Sequence, residues 1–173
     1  PFEFREYGKS LIAATVYVSN VLFFRGAGYF DTAAESKVLL HTWSLSVEEQ
    51  FYIFLPLMLL LLARWPRLFI GALWMCFALS LSGSIWLTPS QQTATFYLFP
   101  FRAWELLAGV LLAIWSHRRA PFKAGAWMSW LGLLLVVASF FFIDATRGFP
   151  GWQVLFPVLG TVLLLVNGQA DNS

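Results

Sequence analysis

An all-α bundle of membrane-crossing helices is the fold class this sequence predicts, and three observations predict it. Hydrophobic residues make up 59% of the 173 and charged residues 12%, with a mean hydropathy of +0.70; a soluble domain carries about 25% charged and 45–50% apolar residues. Apolar runs approach or reach the ~20 residues that a helix needs to cross a bilayer, and Leu57-Met58-Leu59-Leu60-Leu61-Leu62 shows no alternation of period two. Nine Trp and 18 Phe complete the pattern, because aromatic side chains gather at membrane interfaces and in helix packing.

Backbone polar groups in hydrocarbon must be paired within the segment, so runs of this length read as helices. Six segments qualify: Ser10 to Phe24, dotted with Thr15, Ser19 and Asn20; Val47 to Ala63; Leu68 to Leu87; Thr95 to Trp115; Trp127 to Ile143; and Trp152 to Val166. The first and last are short enough to be re-entrant. Turn chemistry separates the segments at Arg64-Trp65-Pro66-Arg67, Thr88-Pro89-Ser90, Arg119-Ala120-Pro121 and Gly148-Phe149-Pro150-Gly151. Pro56, Pro100 and Pro157 fall inside segments and are expected to kink them. Gly109 and Gly132 are expected to be packing contacts. The whole of 1–173 reads as one integral-membrane domain of five to six helices. A start at Pro1-Phe2-Glu3 without Met and a polar end read as a piece of something longer.

A net charge of +2 provides no basic patch for nucleic acid, so the bilayer is the expected partner. If all six segments span, one side holds Arg5, Lys9, Arg64, Arg67, Arg118, Arg119 and Lys123, and the other Arg25, Lys37 and Arg147. That bias places the 64–67 and 116–123 loops in the cytoplasm and the 25–46 loop outside. The single cysteine, Cys76, excludes an internal disulfide and a cysteine metal cluster. No metal-binding helix motif, phosphate loop or nucleophile elbow occurs.

Two stretches carry chemistry. In His41-Thr42-Trp43-Ser44-Leu45-Ser46-Val47-Glu48-Glu49-Gln50-Phe51-Tyr52, a histidine, three hydroxyl residues, two carboxylates and an amide precede an apolar run. Ser46 and Glu49 fit a capping box, and two carboxylates complement a helix start. That reading leaves His41, Trp43, Gln50 and Tyr52 without a role. A helix extending back through Trp43 would instead stack Ser44, Glu48 and Tyr52 at i, i+4 and i+8 on one face, with His41 one turn before. A histidine near a carboxylate can act as general base. The second stretch is Phe101-Arg102-Ala103-Trp104-Glu105, where Arg102 and Glu105 can pair three residues apart. Counted from Thr95, Arg102 lies roughly 10 Å into its segment. A charge at that depth costs about 2.5–3.5 kcal/mol on insertion scales. The pair is therefore either a structural lock or an anchor for an anionic group. Asn20, polar within an apolar run, serves helix packing or the same site. His117 reads as a solvated residue of a basic loop.

The stretch from His41 to Tyr52, followed by Pro56, closely resembles the signature of the membrane-bound acyltransferase 3 family, the O-antigen and peptidoglycan O-acetyltransferase-like proteins of bacteria. Asn20, Gly28-Tyr29-Phe30-Asp31 and Phe101-Arg102-Ala103-Trp104-Glu105-Leu106-Leu107-Ala108-Gly109 resemble flanking parts of the pattern in the same order. The resemblance implies a domain of roughly ten helices in the bacterial inner (plasma) membrane. It also implies transfer of an acyl group, usually acetyl, from acyl-CoA as donor substrate to a sugar hydroxyl of an envelope glycan or lipid-linked sugar, with no permanently bound cofactor. In some members an extracytoplasmic esterase-like domain follows. The family's first helix, with its Arg and His, and its basic Arg-x-x-Arg element have no counterpart in these residues, which implies part of an active site, inactive alone. The family's helix count puts the 25–46 loop inside, opposite to the charge count; a first segment that does not span reconciles the two.

The expected catalytic residues are His41, Glu48 and Glu49. The expected substrate contacts are Trp43, Ser44, Gln50, Tyr52, Asn20, Arg102 and Glu105. A transporter of lipid-linked or anionic solutes would use the same intramembrane polar residues without bond chemistry, and a structural subunit would use the pair as a lock.

Overall fold

The computed structural model describes residues 2–27, 39–118, 125–143 and 148–171, and every element among them is helical. In chain order these are α1 (Phe2–Thr15), α2 (Ser19–Gly26), α3 (Thr42–Leu62), α4 (Pro66–Leu87), α5 (Gln92–Tyr97), α6 (Phe99–Arg118), α7 (Trp127–Phe142), a 3-10 turn (Gly151–Val154) and α8 (Leu155–Asp171). The Gly28–Asp31 stretch, half of the 25–46 loop and part of the 116–123 loop lie outside the described residues. α3, α4 and α6 up to His117 are long and apolar enough to cross a membrane. Large side chains on their outer surfaces, such as Leu60 and Trp86, are exposed in the way lipid as solvent permits. The chain is a membrane protein.

The sequence reading missed two breaks. The first apolar segment is not one helix, because the chain turns at Val16-Tyr17-Val18. Tyr17 adopts φ 56°, a left-handed conformation uncommon for residues other than glycine. The Val18 N–H closes α1 on the Ala13 carbonyl at 2.8 Å, and Gln50 on α3 donates to the Tyr17 carbonyl at 2.9 Å. The fourth segment divides at Leu98, whose backbone is extended (ψ 132°). Pro100 and Pro157 then fall in the first turns of α6 and α8, where a missing N–H is harmless. They start helices, contrary to the expected kinks, and Pro56 remains inside α3.

The core lies where α3, α4 and α6 meet, around Phe51, Met58, Leu73, Ala103 and Leu107. Ser80 on α4 adds a buried polar tie, its Oγ accepting the Trp104 N–H at 3.0 Å. In lipid, apolar burial supplies little drive between helices, so close packing and such bonds hold the bundle together. α7 and α8 form the tightest pair. A Cβ on Gly132 would meet the Gly160 carbonyl oxygen at 2.7 Å, and one on Gly160 would meet the Gly132 carbonyl oxygen at the same distance. Asn167 Nδ2 donates to Ser129 Oγ at 2.6 Å along the same seam. Gly109 differs from the expected packing contact, since a Cβ there would meet nothing within 4 Å.

Candidate functional site

α3 begins at Thr42, as the one-face reading of its polar residues requires. At about 100° per residue, Trp43, Ser46 and Gln50 share one face, and His41, Ser44, Glu48 and Tyr52 share another. The first face turns toward α2, α5 and α6; the second is exposed.

On the inward face, Asn20 and Gln50 form a reciprocal amide pair. Asn20 Nδ2 donates to Gln50 Oε1 at 3.3 Å, and Gln50 Nε2 donates to Asn20 Oδ1 at 2.9 Å. Each amide spends its other donor on a backbone carbonyl, Asn20 on Tyr97 at 3.1 Å and Gln50 on Tyr17. All four N–H donors of the pair are thereby used. The geometry makes them a joint between α2, α3, α5 and the α1–α2 break, where the sequence suggested substrate contacts. A hydroxyl cluster lies beside the joint. The Ser19 and Ser46 hydroxyls are 2.7 Å apart, the Thr42 hydroxyl donates to Ser19 Oγ at 3.1 Å, and the Ser19 N–H donates to Ser46 Oγ at 3.3 Å. Ser46 therefore caps the start of α2 rather than that of its own helix, and the expected capping box with Glu49 does not form.

Next to this joint, Arg102 is the fourth residue of α6, so it lies about 5 Å from the helix start. That is shallower than the sequence implied, because the helix begins at Phe99. Its Nε is 2.6 Å from Glu105 Oε1 and its Nη2 donates to Oε2 at 2.8 Å; the side chains are 16% and 19% exposed. The guanidinium carbon sits 5.4 Å from the Trp43 ring centroid and 5.9 Å from that of Phe96. Such cation–π contacts contribute about 0.5–2 kcal/mol each, more when water is excluded. Trp43 also packs on Phe96 at 4.7 Å and edge-on against Tyr97 at 5.5 Å. Burial pushes the phenol of Tyr97, on α5, above its ordinary 10.0. Phe96 and Tyr97 were not anticipated; as aromatic residues within an apolar run they carried no chemical signal of their own.

On the outward face the expected contacts are looser. His41, Ser44, Glu48 and Tyr52 are exposed and Glu49 is half-buried. Among the described residues, no hydrogen bond or ion pair joins His41 to either carboxylate. The Ser44 hydroxyl donates to the His41 carbonyl at 3.3 Å. The structure thus brings Trp43, Arg102 and Glu105 together, joins Asn20 to Gln50, and sets His41, Ser44, Glu48 and Tyr52 along a separate open face of α3.

These features define a class: a membrane helix bundle that keeps an arginine–carboxylate pair and stacked aromatic rings between its helices. The chain belongs to the acyltransferase domain family, whose model matches residues 7–170. It is 30% identical over 155 residues to a Komagataeibacter xylinus protein named as membrane-bound transacylase BcsY, covering 88% of this chain and 39% of that one. It is 32% identical over 172 residues to the peptidoglycan O-acetyltransferase OatA of Listeria monocytogenes, covering 88% of this chain and 27% of that protein. A Haemophilus influenzae protein is 30% identical over 183 residues, with 98% of this chain and 75% of that protein covered. The chain thus spans well under half the length of the two relatives with named activities. No solved structure matches it.

Proposed function

We propose that this chain is the part of a bacterial plasma-membrane O-acyltransferase that holds the anionic portion of an acyl-CoA donor. The whole protein would move an acyl group, acetyl in the simplest case, onto a sugar hydroxyl of an envelope glycan. The observation that carries the reading is Arg102, held between Glu105 and the rings of Trp43 and Phe96 near the start of a membrane-spanning helix. Only part of its five-donor fork is used by Glu105, which leaves hydrogen-bonding capacity for a phosphate. The positive end of α6 adds to the same field. The family, and the activity in the Listeria relative's name, support acyl transfer to glycan.

In the transfer, the sugar oxygen attacks the thioester carbonyl carbon. The new C–O ester bond forms, the C–S bond breaks, and the hydroxyl proton passes through a base to the leaving thiolate. His41 is the base that this chain offers, on the same open face as Glu48. Glu48 or Glu49 would orient an imidazole or hold sugar hydroxyls, with Ser44 and Tyr52 lining the acceptor's path.

The test uses membranes carrying the full-length protein, acetyl-CoA labelled in the acetyl group, and the glycan as acceptor. Arg102→Gln is expected to raise the KM for acetyl-CoA about tenfold or more, consistent with loss of a charge-assisted bond of about 1.5–3 kcal/mol. Glu48→Gln and Glu49→Gln are expected to lower labelling of the glycan while expression holds. Label that never reaches glycan, with unmodified substrate crossing the membrane, would overturn the reading in favour of transport.

A further inference from the structure

α5 is six residues long, yet it supplies both Phe96 and Tyr97 to the arginine site. A helix that short is not stable alone, so something must fix it. One end is held by Asn20, which donates to the Tyr97 carbonyl. A second hold, at Thr95 two residues before, comes from a buried hydroxyl node around Thr88, the residue that opens the Thr88-Pro89-Ser90 turn. Thr88 and Thr95 are 1% and 0% exposed. The Thr88 hydroxyl donates to the Ser84 carbonyl on α4, hydrogen-bonds the Thr95 hydroxyl on α5 at 3.1 Å, and accepts the Gly151 N–H at 3.2 Å from the turn before α8. Gly151 has φ +35°, a conformation that strains any side chain, and it lies within ordinary contact of Thr88. The same turn carries Phe149, whose ring lies 6.0 Å from Phe96 on the guanidinium-bearing cluster.

We infer that Thr88 is a positioning residue for the arginine site: through Thr95 and Gly151 it fixes α5 and Phe149, and so sets where Phe96 stands beside Arg102. This rests on the reading of Arg102 as the donor's anion anchor. Thr88 touches no substrate in this account; it acts through the ring it places. Thr88→Val keeps the shape of the side chain and removes all three hydrogen bonds, whereas Thr88→Ser keeps the hydroxyl.

Two measurements on the full-length protein in membranes decide the matter. With acetyl-CoA as probe, Thr88→Val is expected to raise the KM about fivefold with kcat within twofold, and Thr88→Ser to stay within twofold in both. In hydrogen–deuterium exchange, Thr88→Val is expected to speed exchange at 95–97 and at Gly151, with Thr88→Ser unchanged. Unaltered exchange in Thr88→Val overturns the proposal, as does a serine variant that loses as much as valine. Arg102→Gln runs alongside as control. If it leaves the KM for acetyl-CoA unchanged, the anion-anchor reading fails by itself, and the exchange data still decide whether Thr88 fixes α5.

Discussion

The bundle has two differently built halves. Around α2, α3 and α5, contact is made by polar groups, the Asn20–Gln50 amides and the Ser19–Ser46–Thr42 hydroxyls, and beside them Arg102 pairs with Glu105 along α6. Between α7 and α8 contact is made largely by close backbone approach, with Gly132 and Gly160 letting the helices touch and an Asn167–Ser129 bond beside them. Both are workable solutions in lipid. The glycine seam shows that close approach suffices where only cohesion is needed. The polar half bears the cost of charges and amides near hydrocarbon, and it does so where aromatic rings and a cation converge. The difference argues that the polar groups serve a site as well as the fold.

That contrast can be broken by substitution. The largest effect is expected from Glu105→Leu, which leaves the guanidinium without its carboxylate. Breaking a buried pair costs about 3–5 kcal/mol, and the lower end applies here because both side chains keep some exposure. Thermal unfolding in detergent micelles should show a clear loss of stability, and the Arg102→Leu, Glu105→Leu double variant should recover much of it while remaining unable to use acetyl-CoA. Recovery of both stability and activity would make the pair a structural lock. Next comes Gly132→Val, which forces side-chain atoms into the Gly160 carbonyl. Overpacking of this kind costs about 1–3 kcal/mol, with the KM for acetyl-CoA unchanged if the two halves work independently. The smallest effect is expected from Asn20→Ala, which deprives Gln50 and the Tyr97 carbonyl of a partner. A loss of about 1–2 kcal/mol follows from unsatisfied polar groups. A double-mutant cycle with Gln50→Ala should then fall short of additivity, because the two amides share their bonds.

Long apolar runs made α4 and α7, and the end of α3, legible in the sequence to within two residues, since hydrocarbon leaves the backbone few alternatives; α3 itself starts at Thr42, five residues before the apolar run at Val47. The breaks were harder. Thr15-Val16-Tyr17-Val18-Ser19 contains neither glycine nor proline, and its left-handed Tyr17 is held by a bond from Gln50, 33 residues away. The split at Leu98 did have a signal, for a proline just ahead marks a helix start, but the apolar run masked it. At the site, Arg102 with Glu105 could be read from spacing alone. Trp43 was singled out as a substrate contact, yet its partners Phe96 and Tyr97 depend on how α5 folds against α3. Thr88 was hidden more deeply, as an ordinary turn residue whose role appears only once Gly151 is brought beside it.

The α1–α2 break also bears on how the chain sits in the membrane. Eight helical residues span about 12 Å, well short of the ~30 Å hydrocarbon layer, and the broken stretch exposes backbone groups that lipid cannot satisfy. The Tyr17 carbonyl and the Ser19 amide find their partners on α3, in Gln50 and Ser46. The broken pair α1–α2 therefore meets the hydrogen-bonding needs of its break in lipid only when α3 lies beside it.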